Sequence, residues 1–548
     1  YIVEHIGNSL PFSYAISYIL CCIFSLFGKG WLSKTISISS LVIINIYSVS
    51  RVWLNKVFGI TDIFTPWDLL MQTNPSEASE FVSTYMMNKP FLNFLIGVLL
   101  IAAIQVVVLS KKKLGHWICS MMYKYALVML LFVWALPMTI RMLSTDVGGF
   151  GLDPMFNPYN NFLWHDIVTG RGRKIAKGTF SHFDYEKMLA VSDTVSCSYT
   201  SGNIVIVLGE SYNRHHSSQY GYSLPTSDVL DSLHPIVFSN VIAECNVTHK
   251  ALKSLLSLYT YDSNTPWNKT PLLFPLLRRA GYGVTFYSNQ FAGKSDTKNG
   301  LWDQLGGMLL DDMKIADSSY TYRNKMRYLY DEELVSNFLS ERESIEKTHK
   351  YNFTIVHMYG QHSNSQDRYP KSKARFSVAN YSTRPELSEE LAQQVANYDN
   401  AIYYGDCQLA RIVEAYKDED AIIIFLSDHG DEANDYRPHI GRAHGSETMP
   451  PAGLHCQFDI PFYVFTTDSY KENHPDILTQ LDRAKDKPFM TDAFPHMILY
   501  LAGIHTSWYK NELNPLEENY DESRKRVLSD SSIDYDSVCS KDDKVIGF

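Results

Sequence analysis

The chain has little cysteine, eight residues in 548, and no two of them form a CxxC pair. Neither a cysteine-based zinc site nor a dense disulfide framework is therefore indicated. Cys197, Cys245, Cys407, Cys456 and Cys539 fall in the polar part of the chain, an odd number at wide spacing that leaves room for one or two disulfides. Positive charge is not in excess: 49 Lys and Arg stand against 59 Asp and Glu, a net charge of -10, which argues against general nucleic-acid binding. Internal repeats and long low-complexity tracts are also missing. Acids are scarce as far as about Ile140, where apolar and aromatic runs dominate; from Ser144 onward the sequence is polar, mixed in charge and rich in Asp, Asn and Tyr.

Those apolar runs are the first thing present. Four stretches, roughly Pro11 to Phe27, Ile36 to Phe58, Phe91 to Leu109 and Trp117 to Met142, approach the ~20 apolar residues that a spanning helix needs. Four in succession with polar connectors argue against a soluble core. Lys111, Lys112 and Lys113, and the two lysines between Gly28 and Lys34, place those loops on the cytoplasmic side. The loop from Gly59 to Pro90 and everything after Ser144 are then expected outside. The chain opens on Tyr1 rather than Met, so its true N-terminus is expected upstream. Within the outer loop, Asn74 and Pro75 look like a helix cap and first helical position, which predicts an amphipathic surface helix near 74–86.

Three parts follow: a membrane domain over 1–143, a connector over 144–202, and an outer domain over 203–548. The outer domain opens with Ile204-Val205-Ile206-Val207-Leu208, an apolar run ended by Gly209-Glu210-Ser211. A second run, Ala421 to Leu426, ends at Ser427-Asp428-His429-Gly430. Unbroken apolar runs of this length read as strands buried on both faces. Further strands are expected at Thr285–Tyr287, Phe353–His357 and Pro461–Phe465, alternating with helical stretches such as Leu272–Ala280 and Glu386–Tyr416. That alternation predicts an α/β domain with a mainly parallel sheet flanked by helices. The end, Glu517 to Lys544, is charged and rich in Ser and Asp and reads as a peripheral or mobile tail.

In open α/β sheets ligands bind beyond the carboxyl ends of strands. Glu210, Asp428 and His429 all stand at such ends, and carboxylates with an imidazole suit a divalent metal; a plain strand-end turn is the competing reading. Thr248, in Asn246-Val247-Thr248, precedes a helical stretch, where backbone N–H groups favour a phosphate; ordinary helix capping is the alternative there.

Taken together, Gly209-Glu210-Ser211, Tyr220-Gly221-Tyr222, Pro225-Thr226, Asn246-Val247-Thr248, His357-Met358-Tyr359-Gly360-Gln361-His362, Tyr398-Asp399-Asn400 and Ser427-Asp428-His429-Gly430 resemble, in content and order, the phosphoethanolamine transferases of Gram-negative envelopes. These are membrane-anchored members of the alkaline phosphatase and sulfatase superfamily. The resemblance implies Thr248 as the nucleophile, with Glu210, Thr248, Asp428 and His429 as ligands of Zn2+. It implies His362 and His444 as the histidines that hold the transferred phosphate; His444 is chosen over His439 for the glycine that follows it. Lys294 is implied in substrate binding, and Thr73 and Glu77 in contact with the donor headgroup. It further implies phosphatidylethanolamine as donor, lipid A, core sugar or another envelope glycan as acceptor, and a monomer in the bacterial inner membrane with its catalytic domain in the periplasm. The family's disulfide pattern is not reproduced, and Leu69 stands where a polar contact is expected. Two alternatives stay open: a phosphoglycerol transferase of the same superfamily and a non-catalytic envelope scaffold. A free sulfatase is disfavoured, because no Cys-x-Pro-x-Arg or Ser-x-Pro-x-Arg nucleophile motif is present.

Overall fold

The structure, a computed structural model, describes residues 184–290, 313–362, 364–442, 449–528, 533–540 and 542–547, with a few positions nearer the N-terminus. The chain divides into two compact units, 1–71 with 81–181 and 72–80 with 182–548. In the first unit Trp53 and residues 91–97 and 99–100 are helical, and Trp53 meets Phe91 edge-on at 5.2 Å. The rest of the four apolar stretches, the surface helix expected near 74–86 apart from the helical Val82 and Met86, and residues 144–183 lie outside the described residues. Among the described residues no helix is long and apolar enough to cross a membrane.

The second unit is built on a seven-stranded sheet: β1 (Asn203–Gly209), β2 (Ile236–Val237), β3 (Gly283–Ser288), β4 (Tyr322–Arg323), β5 (Asn352–His357), β6 (Ala421–Ser427) and β7 (Phe462–Thr466), in spatial order β2-β7-β6-β1-β5-β3-β4. The pairs β6–β1, β1–β5, β5–β3 and β3–β4 are parallel, whereas β7 runs antiparallel to β6 and to β2. The sheet is thus mixed at one side, where a mainly parallel sheet was expected. Direction is a property of the connection, and the apolar run of β7 carries no mark of it.

Alternate residues of each central strand feed two cores. Ile204, Ile206, Leu208, Ile422, Ile424 and Leu426 point to one face, and Val205, Val207, Ile423 and Phe425 to the other. The first face packs against α1 (Thr248–Leu255) and α2 (Leu273–Arg279); the second receives α3 (Asp331–Glu346) and α4 (Glu389–Ala415). Burial on both faces is why these strands read as continuous apolar runs rather than alternating ones. At roughly 25 cal/mol per Å2 of apolar surface, each buried Ile or Leu contributes about 1.5–3 kcal/mol.

The C-terminal segment corrects the expectation of a loose tail. Arg524 pairs with Asp492 at 2.6 Å, Arg526 pairs with Asp536, and Leu528 and Tyr535 are buried beside α5 (Pro451–Phe458). Its arginines are partnered, Arg524 with an acid outside the segment and Arg526 with one inside it, which composition alone does not reveal. The last part of the connector is docked as well: Ser196–Cys197 pairs antiparallel with Ile504–His505. Cys197, Cys407, Cys456 and Cys539 are free thiols.

Candidate metal centre and active site

Parallel pairing sets Gly209 opposite Ser427, so Glu210 and Asp428 emerge side by side from the carboxyl ends of β1 and β6. Both are fully buried, as is His429. One donor atom from each of the three lies within 4.8 Å of the others. Asp428 Oδ1 accepts from the backbone N–H of Ser211 (3.1 Å) and His429 (2.8 Å). Among the described residues nothing donates to Asp428 Oδ2, which stands 3.1 Å from His429 Nε2. Glu210 Oε2 accepts from Gln290 Nε2 at 2.7 Å, while Oε1 accepts from Ser211 Oγ at 3.1 Å and lies 3.4 Å from His429 Nε2.

The ring of His429 is oriented by its own loop. Nδ1 faces the carbonyl of Gly430 at 2.8 Å, an acceptor only, so Nδ1 carries the proton and Nε2 presents its lone pair. Burial, and then the charge of Arg442, lower the His429 pKa and keep the ring neutral. Gly430 itself admits no side chain, since a Cβ there would fall 2.2 Å from the carbonyl oxygen of Cys456. Its N–H donates to Gln457 O at 2.9 Å, so the last turn of α5 backs the loop.

Thr248 is the first residue of α1, and Val247 occupies the cap position with no side-chain cap. The hydroxyl does not serve the helix: Oγ1 donates to Glu210 Oε1 at 3.0 Å and lies 3.2 Å from His429 Nε2. Four groups from three places in the sequence thus converge on one spot. Arg442 also reaches it, with Nη1 2.6 Å from His429 Nε2 and 3.4 Å from Thr248 Oγ1.

The two carboxyls are driven apart electrostatically. Burial pushes both up, but the neighbouring His429 ring, and then His362 and the Arg442 guanidinium, outweigh burial and hold Glu210 well below the usual carboxylate range. Burial, and then the negative charge of Glu210, raise Asp428 well above it. A bare buried carboxylate oxygen, an ionised carboxylate and an imidazole lone pair suit a divalent ion of the zinc class. Glu210 and His429 each keep an orienting partner behind them, Gln290 and the Gly430 carbonyl, as metal ligands do.

His362 is buried in the loop after β5, which is pinned to Glu210: Gln361 N donates to Glu210 O at 3.0 Å. Gly360, at φ +56°, lets that loop pass where a Cβ would fall 2.7 Å from Glu210 O. His444, Lys294, Thr73 and Glu77 lie outside the described residues. Sequence reading missed two contributors, Gln290 and Arg442. Gln290 had a signal, since it follows β3 at the same edge of the sheet that delivers Glu210 and Asp428. Arg442 sits in a loop with no regular pattern and had none.

A threonine hydroxyl at a helix start, set beside metal-type ligands at the carboxyl edge of such a sheet, defines a class, and the Sulfatase family model matches residues 202–519: the chain belongs to the sulfatase family. Within it, the chain is 26% identical over 354 residues to phosphoethanolamine transferase EptC of Escherichia coli O18:K1:H7, a match covering 62% of this chain and 58% of that protein. The match therefore spans less than two thirds of that relative's length. The periplasmic domain of EptC from Escherichia coli, solved as a complex with Zn, covers 64% of this chain and 98% of that one, with a TM-score of 0.54 and 24% identity. The integral membrane lipooligosaccharide phosphoethanolamine transferase EptA of Neisseria meningitidis covers 94% of this chain and 97% of its own, with a TM-score of 0.61 and 15% identity. At these identities the two structures establish the shared fold.

Proposed function

We propose that the protein transfers phosphoethanolamine from phosphatidylethanolamine to an envelope glycolipid or glycan, such as lipid A or core sugar, through a phosphoryl-threonine at Thr248. The observation that carries this reading is the Thr248 hydroxyl, withdrawn from helix capping and held 3.0 Å from Glu210 and 3.2 Å from His429. The names of the related transferases support the same chemistry.

Glu210, Thr248, Asp428 and His429 would hold zinc, which when bound lowers the pKa of a coordinated hydroxyl, as it brings bound water to about 7. The chain's own groups do the rest. Thr248 Oγ1 gives its proton to solvent and forms a bond to the headgroup phosphorus while the bond from phosphorus to the diacylglycerol oxygen breaks. The Arg442 guanidinium, 3.4 Å from Thr248 Oγ1, and the first-turn N–H groups of α1 supply positive potential to the phosphoryl oxygens. His362 and His444 hold the transferred phosphate, and one of them protonates the departing diacylglycerol oxygen. Attack by an acceptor oxygen on phosphorus then breaks the Thr248–phosphorus bond and returns a proton to the threonine. In this reading Lys294, Thr73 and Glu77 contact the substrate, and Glu77 or Glu80 pairs with the ethanolamine ammonium.

A donor lipid stays in the bilayer because each acyl CH2 contributes roughly 0.8 kcal/mol to its retention. The apolar N-terminal stretches then serve to keep the domain at an inner-membrane surface on the periplasmic side. Mass spectrometry of lipids and glycans from cells with and without the gene tests the whole reading. It expects a phosphoethanolamine-sized addition on a glycolipid. A phosphoglycerol addition, or no change at all, overturns it.

A further inference from the structure

Asp459, just past α5, gathers a second group of histidines behind the active-site loop. Its Oδ2 accepts from Arg214 Nη2 (2.8 Å), His215 Nε2 (2.8 Å) and His455 Nδ1 (2.9 Å), and Tyr535 donates to Oδ1. Three donors on one oxygen leave Asp459 no room for an ion, and Arg214 already supplies the positive charge. The effect on His455 is different. With its Nδ1 proton on Asp459, its Nε2 turns outward to the C-terminal segment, 3.2 Å from Asp543 Oδ2 and 3.1 Å from Ser540 O. Donor atoms of His455, Cys539 and Asp543 all lie within 4.8 Å of one another.

We propose that His455 Nε2, Cys539 Sγ and the Asp543 carboxylate form a second binding site for a divalent ion of the zinc class, separate from the Glu210–Asp428–His429 centre. Nitrogen, sulfur and carboxylate oxygen together select zinc-like ions over magnesium or calcium, which take oxygen alone. The carboxylate behind the histidine is the arrangement that fixes the tautomer and aim of a metal-binding ring. Two ligands come from one short turn, Cys539 to Asp543, so little chain is ordered to bring them together. All three line a cleft of about 660 Å3, which gives an ion its way in and leaves the Ser540 carbonyl or solvent to complete the coordination. On binding, the His455 Nε2–H that points at Ser540 O and Asp543 and the Cys539 thiol both give their protons to solvent, leaving an imidazole lone pair and a thiolate for the ion. The ion then fastens the segment after Tyr535 to α5, whose last turn supports Gly430.

The site is tested with Co2+ alone as the probe, on the full-length protein stripped with chelator and kept reduced. A thiolate–cobalt charge-transfer band is expected to grow with one equivalent per chain, and the Glu210–Thr248–Asp428–His429 set contains no sulfur with which to produce one. Cys539→Ser should abolish the band, and Asp543→Asn, at a part-exposed position that leaves the fold intact, should weaken cobalt binding at least tenfold. Thr248→Ala should leave the band unchanged. Cobalt uptake with no such band, or a band that survives Cys539→Ser, overturns the proposal.

Discussion

Two buried histidines of this protein sit among carboxylates, and they have opposite fates. His216 has Asp399 2.6 Å from Nδ1 and Asp435 2.7 Å from Nε2, all three side chains fully buried. Burial opposes its charge, but the two carboxylates outweigh burial and push its pKa up to about 10. The outer oxygens of those acids are also taken: Asp399 Oδ2 by Tyr222 (2.9 Å) and Tyr381 (2.6 Å), Asp435 Oδ2 by Asn213 (3.3 Å) and Ala433 N (3.0 Å). His429, by contrast, spends one nitrogen on a backbone carbonyl and stays neutral, and among the described residues nothing donates to the Asp428 oxygen it faces. The same residue types thus make a closed ion cluster in one place and an open ligand set in the other. What separates them is whether every lone pair has found a proton.

The contrast can be broken from the open side first. Thr248→Ala should lower transfer by roughly 10^4-fold or more, the scale on which loss of a covalent nucleophile is felt. Intact-protein mass spectrometry should then show no phosphoethanolamine adduct on the variant, while its melting temperature stays near that of the parent. Next in size, His216→Leu should remove the cation from between two buried carboxylates and cost about 3–5 kcal/mol of stability, read as the denaturant midpoint. The His216 contribution has a definite pH signature. Its folded pKa lies above the ordinary 6.5, so the stability it supplies is complete below that pH and is lost as pH rises through about 10. The midpoint gap between parent and variant should accordingly narrow in alkali.

A smaller effect is expected at Gln290→Ala, which leaves Glu210 Oε2 without its 2.7 Å donor. Zinc competition against a chelator should show a 10- to 100-fold weaker site, the usual consequence of losing a group that orients a ligand. Smallest is Tyr222→Phe, which deletes one of two hydroxyl donors to Asp399 and should cost about 1 kcal/mol in urea unfolding with no change in metal content.

The open site was largely legible in the sequence because strand ends are. Two apolar runs that stop at Glu210 and at Asp428-His429 could be placed over one crevice before any coordinates, and the register of Gly209 with Ser427 does so. Thr248 was readable only as a choice between cap and nucleophile, and the structure gives the cap position to Val247 instead. The closed cluster was invisible in the sequence: His216 and its two acids are more than 180 residues apart and no local rule joins them. The antiparallel course of β7 escaped for a similar reason, as did the two-residue strand β4, too short to show a period. Charge density misled at the C-terminal segment, because Arg524 finds its acid across the fold at Asp492 and Arg526 finds one within the segment at Asp536.

The missing side chain at Gly430 has a mechanical consequence. With the Cys456 carbonyl oxygen 2.2 Å from where a methyl would stand, the loop that carries Asp428 and His429 and the final turn of α5 are wedged together as one rigid strut. A push on one end is therefore delivered to the other. Whatever loosens the far end of that strut is felt at the imidazole, across a joint with no slack to absorb it.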